Sequence, residues 1–168
     1  MVQLLRVDGR LIHGMVAVTW CGMLRPDILV VANDAAANDE FHAMTLKLAK
    51  PGGVEKCFVW TLQKAIDRIN SDKYKNKKIF MTVATVEDAY TLAKQCPEIQ
   101  HINIGPEVDG GDGRVTAGKK EISEGVWINE EKYQLLKELH AMGKEIFAQI
   151  TTAMTKVEWA EIEKKFES

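Results

Sequence analysis

An open, doubly wound α/β fold is what the sequence predicts, with a mainly parallel sheet of about six or seven strands and helices on both faces. Three observations carry that expectation. Short β-like runs alternate with helical stretches from one end of the chain to the other. Several of these runs, ILVVA, CFVW and IFMTV, are apolar without interruption, as strands covered on both faces must be. The 168 residues include 46% apolar and 27% charged side chains, enough for a core within one domain spanning 1–168.

Taken in order, strands are expected at residues 3–8, 27–32, 56–60, 78–83 and 101–104, in a piece around 121–128, and at 145–150. Helices fill the intervals and mark their own ends. Thr85-Val-Glu-Asp88 and Thr155-Lys-Val-Glu158 have the capping-box spacing, in which side chains and backbone amides satisfy each other at a helix start. Asn129 precedes Glu130 and Glu131, which places carboxylates at the positive end of the helix dipole. The helix that follows carries Leu135, Leu136, Leu139 and Met142 on one face and stops at Gly143. Residues 105–118, GPEVDGGDGRVTAG, read as a long surface loop too short to separate domains.

The bulk numbers exclude several function classes. A net charge of −2 offers no basic field for nucleic acid or an anionic membrane. Cys21, Cys57 and Cys96 are scattered, with no C-x-x-C pair, which favours buried reduced thiols over a metal knuckle or a disulfide framework. The N-terminal stretch is too short for a signal peptide and no apolar run is long enough to span a membrane, so a soluble intracellular protein is expected.

Most of the motifs that could carry chemistry fail on inspection. The segment from Gly113 to Lys120 nearly matches a nucleotide-binding P-loop, but Lys120 stands where a magnesium-binding hydroxyl is needed, and the residues after it alternate like a strand. The DGGDG run lacks the glutamate that would complete a calcium-binding loop. Asn33, Asp34, Asn38, Asp39 and His42 could supply metal ligands, but a turn with Asn38 or Asp39 capping the next helix is the simpler reading. His42, His101 and His140 have no partner motif. The four tryptophans are spread evenly, as core residues are.

What remains is the loop after the first strand, R-V-D-G-R-L-I-H-G-M. Sheets of this kind bind ligands beyond the carboxyl ends of their strands. Met15, Val16, Val18 and Trp20 support a helix, so His13 should lie at or just before its N-terminus, where free amides and the dipole favour an anion and a neutral imidazole. Arg10 adds a fork of donors for phosphate. Gly9 and Gly14 let the backbone turn tightly and approach a ligand. Asp8 would repel a phosphate, so its place is orienting Arg10 or an imidazole N–H. These residues make a plausible phosphohistidine site, with His13 as nucleophile and Arg10 and Gly14 around the phosphate. On local evidence alone, a structural loop histidine stays open.

The segment RVDGRLIHGMVAVTW resembles the phosphorylation site of IIB subunits in the mannose/fructose/sorbose family of the bacterial sugar phosphotransferase system, in a form closest to its hexosamine-handling branch. The likeness continues through LVVAND with the later AND, WTLQKAID, INIG and GKKEI. It implies the same fold, a cytoplasmic location at the inner face of the cell membrane, and transfer without metal or cofactor. His13 would accept phosphate from a IIA partner and pass it to a sugar held by membrane IIC and IID subunits. Arg10 and Asp8 match the family's loop arginine and preceding carboxylate. A homo-oligomer is compatible with this reading.

Departures from the family pattern fall around the same loops: Gly9 replaces an acidic or polar residue, Met15 a glutamine, and Ile150-Thr151 a Val-Pro pair. An insertion lies within 105–118, where Glu107, Asp109 and Asp112 suggest an electronegative surface that tunes docking. These changes motivate an alternative, a non-catalytic phosphate- or metabolite-sensing module on the same fold. A third reading is a metal-dependent hydrolase built on His13, Asp8 and Asp34.

Overall fold

In chain order the elements are β1 (Val2–Val7), α1 (Gly14–Leu24), β2 (Ile28–Ala32), α2 (Asp34–Ala37), α3 (Glu40–Leu48), β3 (Lys56–Trp60) and α4 (Leu62–Ile69). A 3₁₀ turn at Asp72–Tyr74 leads to β4 (Ile79–Val83), α5 (Val86–Gln95), β5 (His101–Ile104), β6 (Lys119–Ser123) and β7 (Val126–Asn129). The chain closes with α6 (Glu130–Ala141), β8 (Glu145–Ala148), β9 (Val157–Glu158) and α7 (Trp159–Glu167). The computed structural model describes residues 1–107 and 116–168, with the backbone alone at 15 and 16.

The main sheet has seven strands in the order β3-β2-β4-β1-β5-β8-β9, parallel except for β9, which runs antiparallel to β8. The expected doubly wound architecture is therefore the observed one. Two strand assignments differ from the sequence reading. Residues 121–128 are not one strand: β6 and β7 form a separate antiparallel hairpin, turning at Gly125 with φ of 78°. Thr155–Glu158 is no capping box, because Val157 and Glu158 pair with Ala148 and Phe147, and α7 starts only afterwards without a side-chain cap. Strand pairing claimed the backbone groups that a capping box would have used.

Other local expectations are met. Thr85 Oγ1 accepts from the Asp88 amide at 3.1 Å, and Asn129 Oδ1 accepts from the Lys132 amide at 2.9 Å. Of Asn38 and Asp39 it is Asp39 that caps α3, accepting from the His42 amide, and Asn33, outside that expectation, caps α2 by accepting from Ala36. Gly143 takes φ of 90° just past α6, where a side chain would be strained. On α6, however, Tyr133 joins Leu136 and Leu139 in the buried face, and Met142 is exposed.

Alternation along each parallel strand divides the interior into two cores. Leu5, Val7, Ile28, Val30, Met81, Ile102, Ile104 and Ile146 face the side covered by α4 to α7. Leu4, Leu29, Val31, Phe80 and Phe147 face the other side, with Trp20 and Ala17 of α1 and Leu46 of α3. The same alternation puts the buried polar residues Arg6, Thr82 and Asn103 on the α1 side. From β1 the chain crosses toward β2, whereas from β5 it moves outward to β8, so the crevice at the carboxyl ends of β1 and β5 is a topological switch point. No helix among the described residues is long and apolar enough to cross a membrane.

Candidate phosphoryl site

Asp8 is the first residue beyond β1, and the sheet ladder continues through it. Its N–H donates to Val83 O at 2.9 Å, and the N–H of Gly9 donates to Pro106 O at 2.9 Å on the other flank. The chain then turns back, with the Leu11 amide on Asp8 O at 2.9 Å. The left-handed position in this turn belongs to Leu11, at φ of 61°, and not to Gly9. A bulky residue there is strained. Burial of Leu11 and Ile12 against the α1-side core holds the loop in place despite that strain. His13 is the N-cap of α1, as expected, and Gly14 follows with φ of 27°.

The Asp8 carboxylate sits at the centre and is fully buried. Its Oδ2 accepts from the Arg6 guanidinium at 3.0 Å. Its Oδ1 accepts from the Arg10 amide at 3.0 Å and Arg10 Nε at 3.3 Å. His13 Nε2 lies 3.9 Å from Oδ2, facing it but short of a hydrogen bond. Asp8 thus holds Arg10, as anticipated, and also faces the imidazole.

Arg6 is the residue the sequence reading passed over. It is buried to 1% exposure, donates to Asn103 Oδ1 and to Gln149 O, and stacks over the Trp20 indole at 5.2 Å. Trp20 Nε1 in turn donates to Ile150 O at 2.8 Å, and Asn103 Nδ2 to Gln149 O at 3.1 Å. Gly105 makes room for the guanidinium: a Cβ there would lie 2.7 Å from Arg6 Nη2 and 2.7 Å from Val7 O. The available signal was a lone arginine inside an apolar strand, since a charge is retained there only when paired.

The four groups divide by exposure. Arg6 and Asp8 are sealed, whereas Arg10 is 42% and His13 30% exposed at their side chains. Burial and the positive charge of Arg10 push the His13 pKa down, with a smaller contribution from Arg6, against an upward pull from Asp8. The direction matches the expected neutral imidazole, with burial as the leading cause. His13 Nε2 is itself buried and without a hydrogen-bond partner.

Other candidates disperse. Asp34 Oδ1 accepts from the Leu62 amide at 2.8 Å, and no three His, Cys, Asp or Glu side chains among the described residues converge as a metal site requires. The strand at Lys119–Ser123 follows the P-loop-like segment where a helix would be needed. Glu107 is not a surface charge: its carboxylate accepts from the Val86 amide at 2.6 Å and pairs with Lys132 at 2.6 Å. Asp109, Asp112 and the DGGDG run lie outside the described residues. His101 pairs with Glu145, His140 stacks on Trp159, and the three cysteines are buried and unpaired, with thiols pushed up to about 11.

The family model for the PTS system sorbose subfamily IIB component matches residues 2–168. The chain belongs to this family. As a sorbose-family IIB component of the phosphotransferase system, it is 35% identical over 163 residues to a probable phosphotransferase enzyme IIB component of Streptococcus pyogenes serotype M6, covering 96% of this chain and 99% of that one. It is 32% identical to the N-acetylgalactosamine-specific phosphotransferase enzyme IIB component 2 of Escherichia coli K12, covering 88% and 89%. The crystal structure of the IIB domain of the Klebsiella pneumoniae sorbose permease superposes with a TM-score of 0.85 at 25% identity, over 100% of this chain and 99% of that one.

Two outcomes follow from the IIB geometry. Arg6→Met leaves the buried Asp8 carboxylate without its sealed partner and should cost roughly 3–5 kcal/mol in urea unfolding; a loss under about 1 kcal/mol would contradict the pairing. In NMR titrations the His13 pKa should lie below that of an exposed histidine, rise in Arg10→Ala, and fall further in Asp8→Asn. An unchanged value in both variants would remove Asp8 and Arg10 as its electrostatic neighbours.

Proposed function

We propose that His13 accepts a phosphoryl group from a phosphohistidine on a IIA protein and passes it to a sugar held by membrane IIC and IID subunits. The observation that carries this reading is the orientation of the imidazole. Nε2 is turned inward toward a buried carboxylate, so Nδ1 is the nitrogen left for chemistry. A proton on Nε2 faces Asp8 and keeps the lone pair on Nδ1. That lone pair attacks phosphorus in line as the donor's P–N bond breaks, and no proton needs to leave His13.

The surrounding charges suit both halves of the exchange. The lowered pKa keeps His13 neutral near pH 7, so the nucleophile is present without a base to create it. The exposed Arg10 guanidinium, steadied at its Nε by Asp8, neutralises the phosphoryl oxygens in flight. Asp8 is paired with the buried Arg6 guanidinium, which offsets its negative charge near the phosphate, and its Oδ2 faces the Nε2 edge. After transfer, the proton retained on Nε2 lets the ring leave as a neutral imidazole when the sugar oxygen takes the phosphoryl group and the P–N bond breaks. The hydroxyl proton passes to the product phosphate or to solvent. The sugar is selected in the membrane subunits.

A sensing module that kept the fold without transfer would not require an imidazole poised in this way. Incubation with the general phosphotransferase proteins and a cognate IIA should place an acid-labile, base-stable phosphate on the protein. His13→Gln should abolish the label with the fold retained, and undiminished labelling would sink the assignment. Arg10→Lys should slow transfer about tenfold or more, because a point charge loses the forked grip. A wild-type rate there would exclude Arg10 as the clamp.

A further inference from the structure

Helix α3 is apolar on two opposite sides. Leu46 points into the α1-side core, while Phe41, Met44 and Leu48 stand on the outward face at 79%, 59% and 80% exposure. On the opposite side of the sheet, no large apolar side chain is exposed among the described residues of α4 to α7, and Met142, just past α6, is. Propensity alone gives no reason for Phe and Leu to be held in water, and a stripe of this kind marks a contact surface.

The spacing specifies what the stripe fits. Phe41, Met44 and Leu48 occupy i, i+3 and i+7, the seam positions of a heptad. Glu40 and Lys47 are seven residues apart and so flank the seam on one side, with no ion pair for either among the described residues. Two copies of α3 laid antiparallel about a twofold axis bring this flank against itself with its direction reversed. Glu40 of each copy then meets Lys47 of the other at both ends, while Phe41 of each covers Met44 of the other. A parallel arrangement would set the same charges against the Thr45 side and leave them unpaired. The pattern is self-complementary, which is the requirement of an isologous interface.

We infer that the outward face of α3 is a homodimer interface, with two α3 helices packed antiparallel. A stable interface buries on the order of 1,000 Å² or more, beyond what three side chains of one helix supply. The remainder is at hand on the same side of the sheet. Val18 and Met23 of α1 are exposed, and a groove of about 430 Å³ between α1 and the 51–54 turn begins three residues past Leu48. The His13 loop leaves β1, which β4 separates from β2, so its strand lies two positions, about 10 Å, along the sheet from β2.

Sedimentation equilibrium of the full chain over about a hundredfold range of concentration decides the matter. A monomer–dimer equilibrium is expected. Phe41→Ser should abolish dimerisation with an unchanged circular dichroism spectrum, since this side chain lies outside the core. Glu40→Lys and Lys47→Glu should each raise the dimer Kd about tenfold or more, and the double variant should restore it to within about threefold of the parent. A monomer at every concentration, a dimer indifferent to Phe41→Ser, or a double variant no better than the single ones would each overturn the inference. A dimer indifferent to Phe41→Ser would place self-association on another surface, and a failed charge swap would exclude the antiparallel pairing.

Discussion

The His13 loop depends on one buried carboxylate. Removing Asp8 from water is unfavourable unless both of its oxygens are occupied, and the chain supplies a guanidinium from within the sheet and another from the loop. Arg6 is therefore committed before any chemistry begins, and its commitment propagates outward. Its remaining donors reach Asn103 and the Gln149 carbonyl, its face lies on Trp20, and Gly105 must lack a side chain to admit it. These partners come from β1, β5, α1 and the segment after β8, so one ion pair coordinates four parts of the fold.

The exposed half of the site inherits this order. Asp8 fixes Arg10 through a backbone amide and Nε, and the extended ladder contacts at Val83 and Pro106 fix Asp8. Leu11 and Ile12 anchor the descent to α1, with Leu11 in a left-handed conformation offset by its burial. What reaches solvent is a pair of side chains, one neutral ring and one permanent cation, set against a rigid and electrically balanced floor. Rigidity of that kind suits phosphoryl exchange between similar donors and acceptors, where positioning and charge stabilisation supply most of the effect.

The sequence conveyed this arrangement unevenly. The parallel strands were legible because double-sided burial writes continuous apolar runs such as ILVVA and IFMTV, and the caps at Thr85 and Asn129 because they obey local spacing. The β6–β7 hairpin and β9 were not, since both are settled by pairing: a glycine turn splits one alternating run, and β8 recruits two residues that otherwise resemble a helix start. His13, Arg10 and Asp8 stood out as a cluster within six residues. Arg6 did not, because its meaning lies in contacts with Asn103, Gln149 and Gly105, far along the chain from it. Glu107 looked like a surface charge until its pairing with Lys132 placed it inside a network, which no local pattern announces.

The central proposal is that His13 turns its Nε2 edge inward toward Asp8 and leaves Nδ1 to react. Long-range nitrogen–proton NMR correlation on the phosphorylated, ¹⁵N-labelled protein reads this directly. The account predicts phosphorus bonded to Nδ1 with a proton retained on Nε2, whereas phosphorus on Nε2 would contradict it.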